Sequence, residues 1–241
     1  MNLRVRLHKP EQLDNLSLSG GILNATLDSL KFINTYFGNH KQLSKAILQY
    51  CKTQPGVERI HIVDIGCGGG DCIMHISKTL KKHKIKATFT GIDGNPKSIF
   101  YAQQNNPDPT HIRFHTANVL DKNFALPDCD VLISSHFMYH FNNESLIDFL
   151  KKLQSNTVKH IIFSELYRSK MAYHIFKTVR FMLPVSDMAR KDGLIAIQRA
   201  FTNKELETII RKSAIEKHRI TKKPFFRMIA QIYLHDEKNI I

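Results

Sequence analysis

Asp64 stands two residues ahead of a glycine cluster in HIVDIGCGGGDCIMHI (61–76), where Gly66, Gly68, Gly69 and Gly70 are followed at once by Asp71. Glycines this dense between a β-rich run and a helical pattern bring the backbone close to a ligand, as in sites for NAD, FAD, ATP or S-adenosylmethionine (SAM). Asp93, in GIDGNP, closes the next apolar run, and its carboxylate can accept from paired hydroxyls. Farther along lie groups able to move a proton: His136, Tyr139 and His140 in SSHFMYHF, and Glu165 in SELYRS. An imidazole titrates near neutrality, so either histidine is a candidate general base.

The spacing narrows the ligand. A phosphate-cradling P-loop needs Lys-Ser/Thr after its last glycine, and none follows here. The dinucleotide fingerprint places its third glycine where this chain has Asp71, and a diphosphate on the helix N-terminus would meet that carboxylate. A carboxylate is favourable beside a cationic ligand without phosphate. SAM, with an ammonium and a sulfonium, has that character.

VDIGCGGGD (63–71) resembles the first motif of class I SAM-dependent methyltransferases, in which an acidic residue precedes a GxGxG turn. The resemblance implies SAM as cofactor, held by Asp64, Gly66, Gly68 and Gly70, with Asp93 and Gly94 at the ribose. It implies that Asn118 and Val119 border the adenine, where many members have Asp, and that the backbone near Ser134 and Ser135 faces the methionine end. ISSHFMYHF (133–141) is similar to the family's strand-four segment. Within the class, FGNH (37–40), SELYRS (164–169), and DG with RAFTNKEL (192–193, 199–206) look like small bacterial enzymes of phenolic, polyketide or quinone-type chemistry. The expected reaction is O-methylation of such a small molecule. His136 or His140 would be its base, with Glu165 a second base or the partner of Arg168. Tyr139, Tyr167, Arg168 and Tyr173 would surround the acceptor, and no metal is expected.

Positioning these groups requires strands and helices in alternation. Apolar, β-rich runs occupy 59–66, 86–93, 111–119, 130–137 and 160–166. A helical pair fills 22–53 with a break at Gly38-Asn39, and Asn95-Pro96 reads as an N-cap with a first-turn proline. Leu146, Phe149, Leu150 and Leu153 share a helix face, and Thr202 with Glu205 forms a capping box stapled by Phe201 and Leu206. EKHRITKK and FFRMIAQIYL close the chain as an antiparallel pair. The expectation is a doubly wound, mostly parallel α/β sheet, seven-stranded and Rossmann-like by the resemblance, with its last strand antiparallel. One domain, 1–241, would comprise an N-terminal helical cap (22–53), a SAM-binding core (59–166), a helical lid (167–200) and a C-terminal helix with strands (201–235).

The 241 residues, 42% hydrophobic and 23% charged, suit one soluble domain. No signal-peptide pattern and no span-length apolar run is seen, so a cytoplasmic location is expected. Cys51, Cys67, Cys72 and Cys129 lack paired spacing and read as reduced thiols. A net charge of +14 keeps an RNA-directed methyltransferase open as an alternative, although SSHFMYH is not the Asn/Asp-Pro-Pro-aromatic motif of amino-methylating nucleic-acid enzymes. A non-catalytic SAM-binding partner protein is a third reading. MAYHIFKTVRFMLP (171–184) mixes aromatics with Lys177 and Arg180, which fits an aromatic or lipid-like acceptor carried on an acidic protein or held at an anionic membrane. Oligomeric state leaves no mark on the sequence.

Overall fold

The computed structural model describes residues 3–54 and 58–234. Two helices, α1 (Gly20–Tyr36) and α2 (Asn39–Lys52), precede β1 (Ile60–Ile65). There follow α3 (Asp71–Lys82), β2 (Ala87–Asp93), α4 (Pro96–Gln104), β3 (Ile112–Thr116), β4 (Val131–Ser135) and α5 (Asn143–Leu153). The chain continues through β5 (His160–Leu166), α6 (Lys170–Val179), α7 (Asp187–Arg199), α8 (Asn203–Lys212), β6 (His218–Lys223) and β7 (Arg227–Tyr233). The expected span 1–241 includes residues 1–2, 55–57 and 235–241, and the span 201–235 includes residue 235, all of which lie outside the described residues.

The seven strands form one sheet in the order β3-β2-β1-β4-β5-β7-β6. β1 to β5 pair in parallel, whereas β7 runs antiparallel to both β5 and β6, so the sheet is mixed. Alternation along the strands builds two cores. Ile60, Ile62, Val131, Ile133 and Ile162 face one side with α2, α3 and α4, while Val63, Ile65, Leu132 and Phe163 face the other with α5 and α8. Both faces are covered, which is why these strands read as near-continuous apolar runs.

Local signals account for the helix ends. Asn95 accepts from the Lys97 and Ser98 amides, and Thr202 and Glu205 exchange a reciprocal capping box at 3.2 and 2.7 Å. Residues 167–200 hold α6 and α7, as a segment of that length in a compact domain requires. Two departures concern β3 and the N-terminus. β3 stops at Thr116, short of Asn118. Residues 3–19 form a strap with one short 3-10 turn, Gln12–Asp14, where no periodic pattern predicts an element. Buried Arg6 pins it by donating to the carbonyls of Tyr139, Phe141 and Arg199, and Asp192 accepts from the Gln12 and Leu13 amides.

Gly70, the N-cap of α3, has φ +75°, and a Cβ there would lie 2.6 Å from Phe114 Cζ. Gly70→Ala should therefore lower unfolding free energy by about 1–3 kcal/mol, read from urea midpoints; an unchanged midpoint would contradict this account of the turn.

Candidate functional site

The sheet order reverses direction between β1 and β4, and open α/β sheets bind ligands beyond the strands' carboxyl ends at such a point. A cavity of about 540 Å³ lies there. One end is lined by Asp64, Gly66, Gly68, Asp71, Asp93 and Gly94. The Asp93 carboxylate accepts from the Gly68 amide and the Asn95 amide, both at 2.9 Å, and so fixes the turn while keeping a free lone pair on each oxygen. Gly66 has φ +69°, and a side chain there would collide with the Phe137 ring.

Three carboxylates meet at this end with unequal support. Asp71 is held by His40 Nε2 at 2.7 Å and by the Asn34 amide at 2.9 Å. Asp64 is 1% exposed, and neither of its oxygens has a partner. Burial, then the charges of Asp71 and Asp93, push its carboxyl well above the usual carboxylate range. A buried, unpaired acid lining a cavity is complementary to a cation and hostile to phosphate. The donor set therefore fits SAM, with its ammonium, sulfonium and ribose hydroxyls, and fits a dinucleotide poorly.

Residues 62–159, from β1 to the edge of β5, match the family described as "Methyltransferase domain". The core of this chain is a methyltransferase domain, and its cofactor is SAM. Among solved structures, the methyltransferase resembles the plantazolicin methyltransferase BpumL in complex with a monoazolic desmethylPZN analog and SAH (18% identity, TM-score 0.63, 88% of each chain). It also resembles the magnesium protoporphyrin IX methyltransferase ChlM of Synechocystis PCC 6803 with bound SAH (15% identity, TM-score 0.53, covering 80% of this chain and 82% of that one). A third likeness is to the CurJ carbon methyltransferase (12% identity, TM-score 0.61, 82% of this chain), of which the chain spans about half, 54%. At these identities the likeness is one of fold. No curated protein sequence matches the chain.

At the other end of the cavity the two candidate bases differ. His136 has φ +54° and is half-buried at the cavity wall; its Nε2 is held by Arg227 Nη1, and Nδ1 has no partner. Burial, then Arg227, holds its imidazolium form well below the usual range. His136 is thus a neutral ring whose accepting nitrogen is occupied, which corrects its reading as a base. His140 lines the cavity with Nδ1 3.1 Å from Asp14 Oδ1. Arg199 Nη2 lies 3.2 Å from the same nitrogen and, as a donor only, favours a lone pair there; its Nη1 donates to Asp14 Oδ2 at the shorter distance of 2.7 Å. Burial would raise the Asp14 carboxyl, yet His140 and Arg199 outweigh it and bring it down to about 2. An ionised carboxylate only accepts, so Asp14 favours the proton on Nδ1 and leaves the Nε2 lone pair free.

Other expectations are redirected. Glu165 is buried away from the cavity and accepts from the Phe137 and Met138 amides; burial pushes it up to about 8. It shapes the loop that carries the histidines and does not face the acceptor. Arg168 pairs with Glu205 at 2.5 Å, not with Glu165, and donates to the Leu3 and Ala200 carbonyls, so it too stands outside the cavity. Tyr173, Gly70 and Ser134 also miss the lining, the last with a buried hydroxyl. Tyr139, Tyr167, Val119, Gly94 and Ser135 line it, Ser135 accepting from the Asn39 amide at 2.7 Å. Asn118 lines it as well, its amide oxygen taking the Leu120 N–H at 3.1 Å.

The sequence reading passed over Glu11, Asp14, Asp192, Arg199 and Arg227, all of which line the cavity. Glu11 faces Tyr139 Oη at 3.4 Å and Arg199 at 3.5 Å. The DG and RAFTNKEL segments contain Asp192 and Arg199, but no local motif marks the role of any of the five, because their side-chain partners lie far away in sequence.

Asp64→Asn should stabilise the ligand-free protein, since it removes an unpaired buried charge, and should weaken SAM binding about tenfold or more. Thermal unfolding and calorimetry read the two effects, and a variant that binds SAM normally would contradict the assignment. Burial pushes Glu11 up to about 8, against the lesser opposing pull of Arg199. An acid raised in the folded state gives its full stability below its unfolded value near 4.5 and loses it as pH rises toward 8. Glu11→Gln should therefore flatten the fall in unfolding free energy over that window, measured by urea titration at several pH values.

Proposed function

We propose that the chain transfers a methyl group from SAM to a hydroxyl of an apolar, phenolic, polyketide or quinone-type small molecule, with His140 as the general base. The observation that carries this reading is the His140–Asp14 pair at the wall of a largely apolar chamber. Leu30 and Ile33 of α1, Phe37 at its C-cap, and Phe176, Val179 and Leu183 in and after α6 supply its apolar side. Residues 167–200 serve as the cover of the acceptor, 22–53 as the opposite wall, 59–166 as the cofactor half, and 201–235 as the closing sheet edge.

Asp64 would take the ammonium, Asp93 the ribose hydroxyls, Asn118 and Val119 the adenine edge, and the Gly66–Gly68 and Ser135 backbone the methionine end. Bound there, SAM supplies an electrophilic methyl on a sulfonium, displaced directly by the nucleophile. The residues of this chain hold the acceptor oxygen in line and accept its proton. Orientation of this kind is worth roughly 7–11 kcal/mol. His140 Nε2 takes the hydroxyl proton, and Asp14 stabilises the imidazolium that results. Arg199 keeps Asp14 ionised and in place, and Tyr139 and Tyr167 flank the acceptor ring.

His140→Gln should lower kcat by about 10²–10⁴-fold with SAM affinity unchanged. Asp14→Asn should lower kcat less and move the acidic limb of the pH profile, which reports the base. The assay is a screen of phenols, quinone precursors and polyketide fragments with a labelled methyl donor. Full turnover by the His140 variant on an accepted substrate would overturn the assignment.

A further inference from the structure

Large apolar side chains that both line the chamber and reach solvent mark where it opens. Leu16 and Leu120 do so beside Gly94 and Asn118, at the nucleoside end. At the acceptor end, Ile175 of α6 is 46% exposed and Phe225 of the β6–β7 turn is 54% exposed, and both line the cavity. Phe225 packs edge-on against Phe37, with ring centroids 5.4 Å apart. Helix α1, helix α6 and the β6–β7 turn therefore frame one mouth.

The surface around that mouth is unusual in two respects. Phe181 and Met182, in the turn after α6, are 68% and 83% exposed, and Met171 and Tyr36 are exposed as well. Exposed lysines stand among them on all three elements: Lys31, Lys170, Lys177 and Lys222. Neither 166–186 nor 217–234 contains a single Asp or Glu. Three of the four arginines of these stretches are otherwise engaged, and the fourth, Arg219 of β6, is exposed. Arg168 pairs with Glu205, Arg227 holds His136, and Arg180 stacks on Phe181 and bonds the Arg190 carbonyl. Helix α1 carries one exposed acid, Asp28, which accepts from the Tyr101 hydroxyl. Long apolar side chains with lysines in excess of acids suit an anionic lipid surface: the apolar tips enter the acyl boundary and the ammonium groups meet headgroups.

We propose that this face docks on an anionic bilayer and that the acceptor passes from the lipid into the chamber between Ile175 and Phe225. The proposal rests on the apolar-acceptor reading of the site, and it adds the source of the acceptor. An apolar chamber draws its ligand from a hydrocarbon phase more readily than from water, where such a ligand is scarce. An acidic carrier protein is the competing occupant.

The test uses the full chain in co-sedimentation with mixed phosphatidylcholine–phosphatidylglycerol vesicles and with pure phosphatidylcholine vesicles. The wild type should partition onto the mixed vesicles, with binding that weakens as salt rises. Phe181→Ser with Met182→Ser should reduce partitioning about tenfold or more. Lys170→Glu with Lys177→Glu should reduce it by roughly fivefold for each charge removed. None of these four residues lines the cavity, so SAM affinity and turnover of a water-soluble acceptor should stay at wild-type level. Equal binding to both vesicle types, undiminished binding by the Phe181/Met182 variant, or capture of an acidic carrier protein without vesicle binding would overturn the proposal. SAM calorimetry on the same samples separates the two ideas. Vesicle binding without SAM binding would refute the reading of the site alone, and SAM binding without vesicle binding would refute the docking face alone.

Discussion

Three carboxylates crowd the ends of β1 and β2, and only one of them lacks any partner. Asp71 leans on His40 and Asn34, side chains of α2 and α1, while Asp93 is consumed in holding Gly68 and Asn95. Asp64 has neither kind of support and is enclosed by the strand interior. Folding therefore leaves an acid desolvated beside two others, an arrangement that opposes stability and favours a cationic occupant. The glycine turn, the two N-terminal helices and the carboxyl end of β2 are placed as they are because each meets one part of this cluster.

The acceptor end is organised by buried arginines in the same way. Arg6, Arg168, Arg199 and Arg227 are all buried, and each donates to backbone carbonyls, carboxylates or an imidazole. Burial brings Arg6 and Arg227 down to about 10, still well above physiological pH, so they remain cationic. Arg6 fastens the N-terminal strap to α7 and the histidine loop, Arg168 joins β5 to the capping box of α8, and Arg199 holds Asp14 toward His140. Part of the +14 net charge is thus structural and internal. The exposed remainder gathers in part around the Ile175–Phe225 mouth, where lysines exceed carboxylates. Among the described residues no helix is long and apolar enough to cross a membrane.

One loop decides which histidine is free. Glu165, beneath it, caps the Phe137 and Met138 amides and turns the chain sharply after β4, forcing His136 into a left-handed conformation against Arg227. His140, one short turn later, points the other way along the cavity toward Asp14. Two histidines four residues apart thus meet different side chains, Arg227 for one and Asp14 for the other.

The order of strands and helices was legible in the sequence because each signal is local: the apolar runs of β1 and β5, the Asn95 cap, the Thr202–Glu205 box, and the Asp-x-Gly-x-Gly spacing of the turn. The cationic character of the cofactor was legible for the same reason, since Asp64 and Asp71 flank the glycines within one short segment. The pairing of charges was not. Arg168 chose Glu205 over its near neighbour Glu165, and His140 found Asp14, 126 residues before it, on a strap that no periodicity announces. Local propensity fixes which backbone can form an element, whereas the partner of a buried charge is fixed by desolvation, which acts on whichever groups the completed fold brings together.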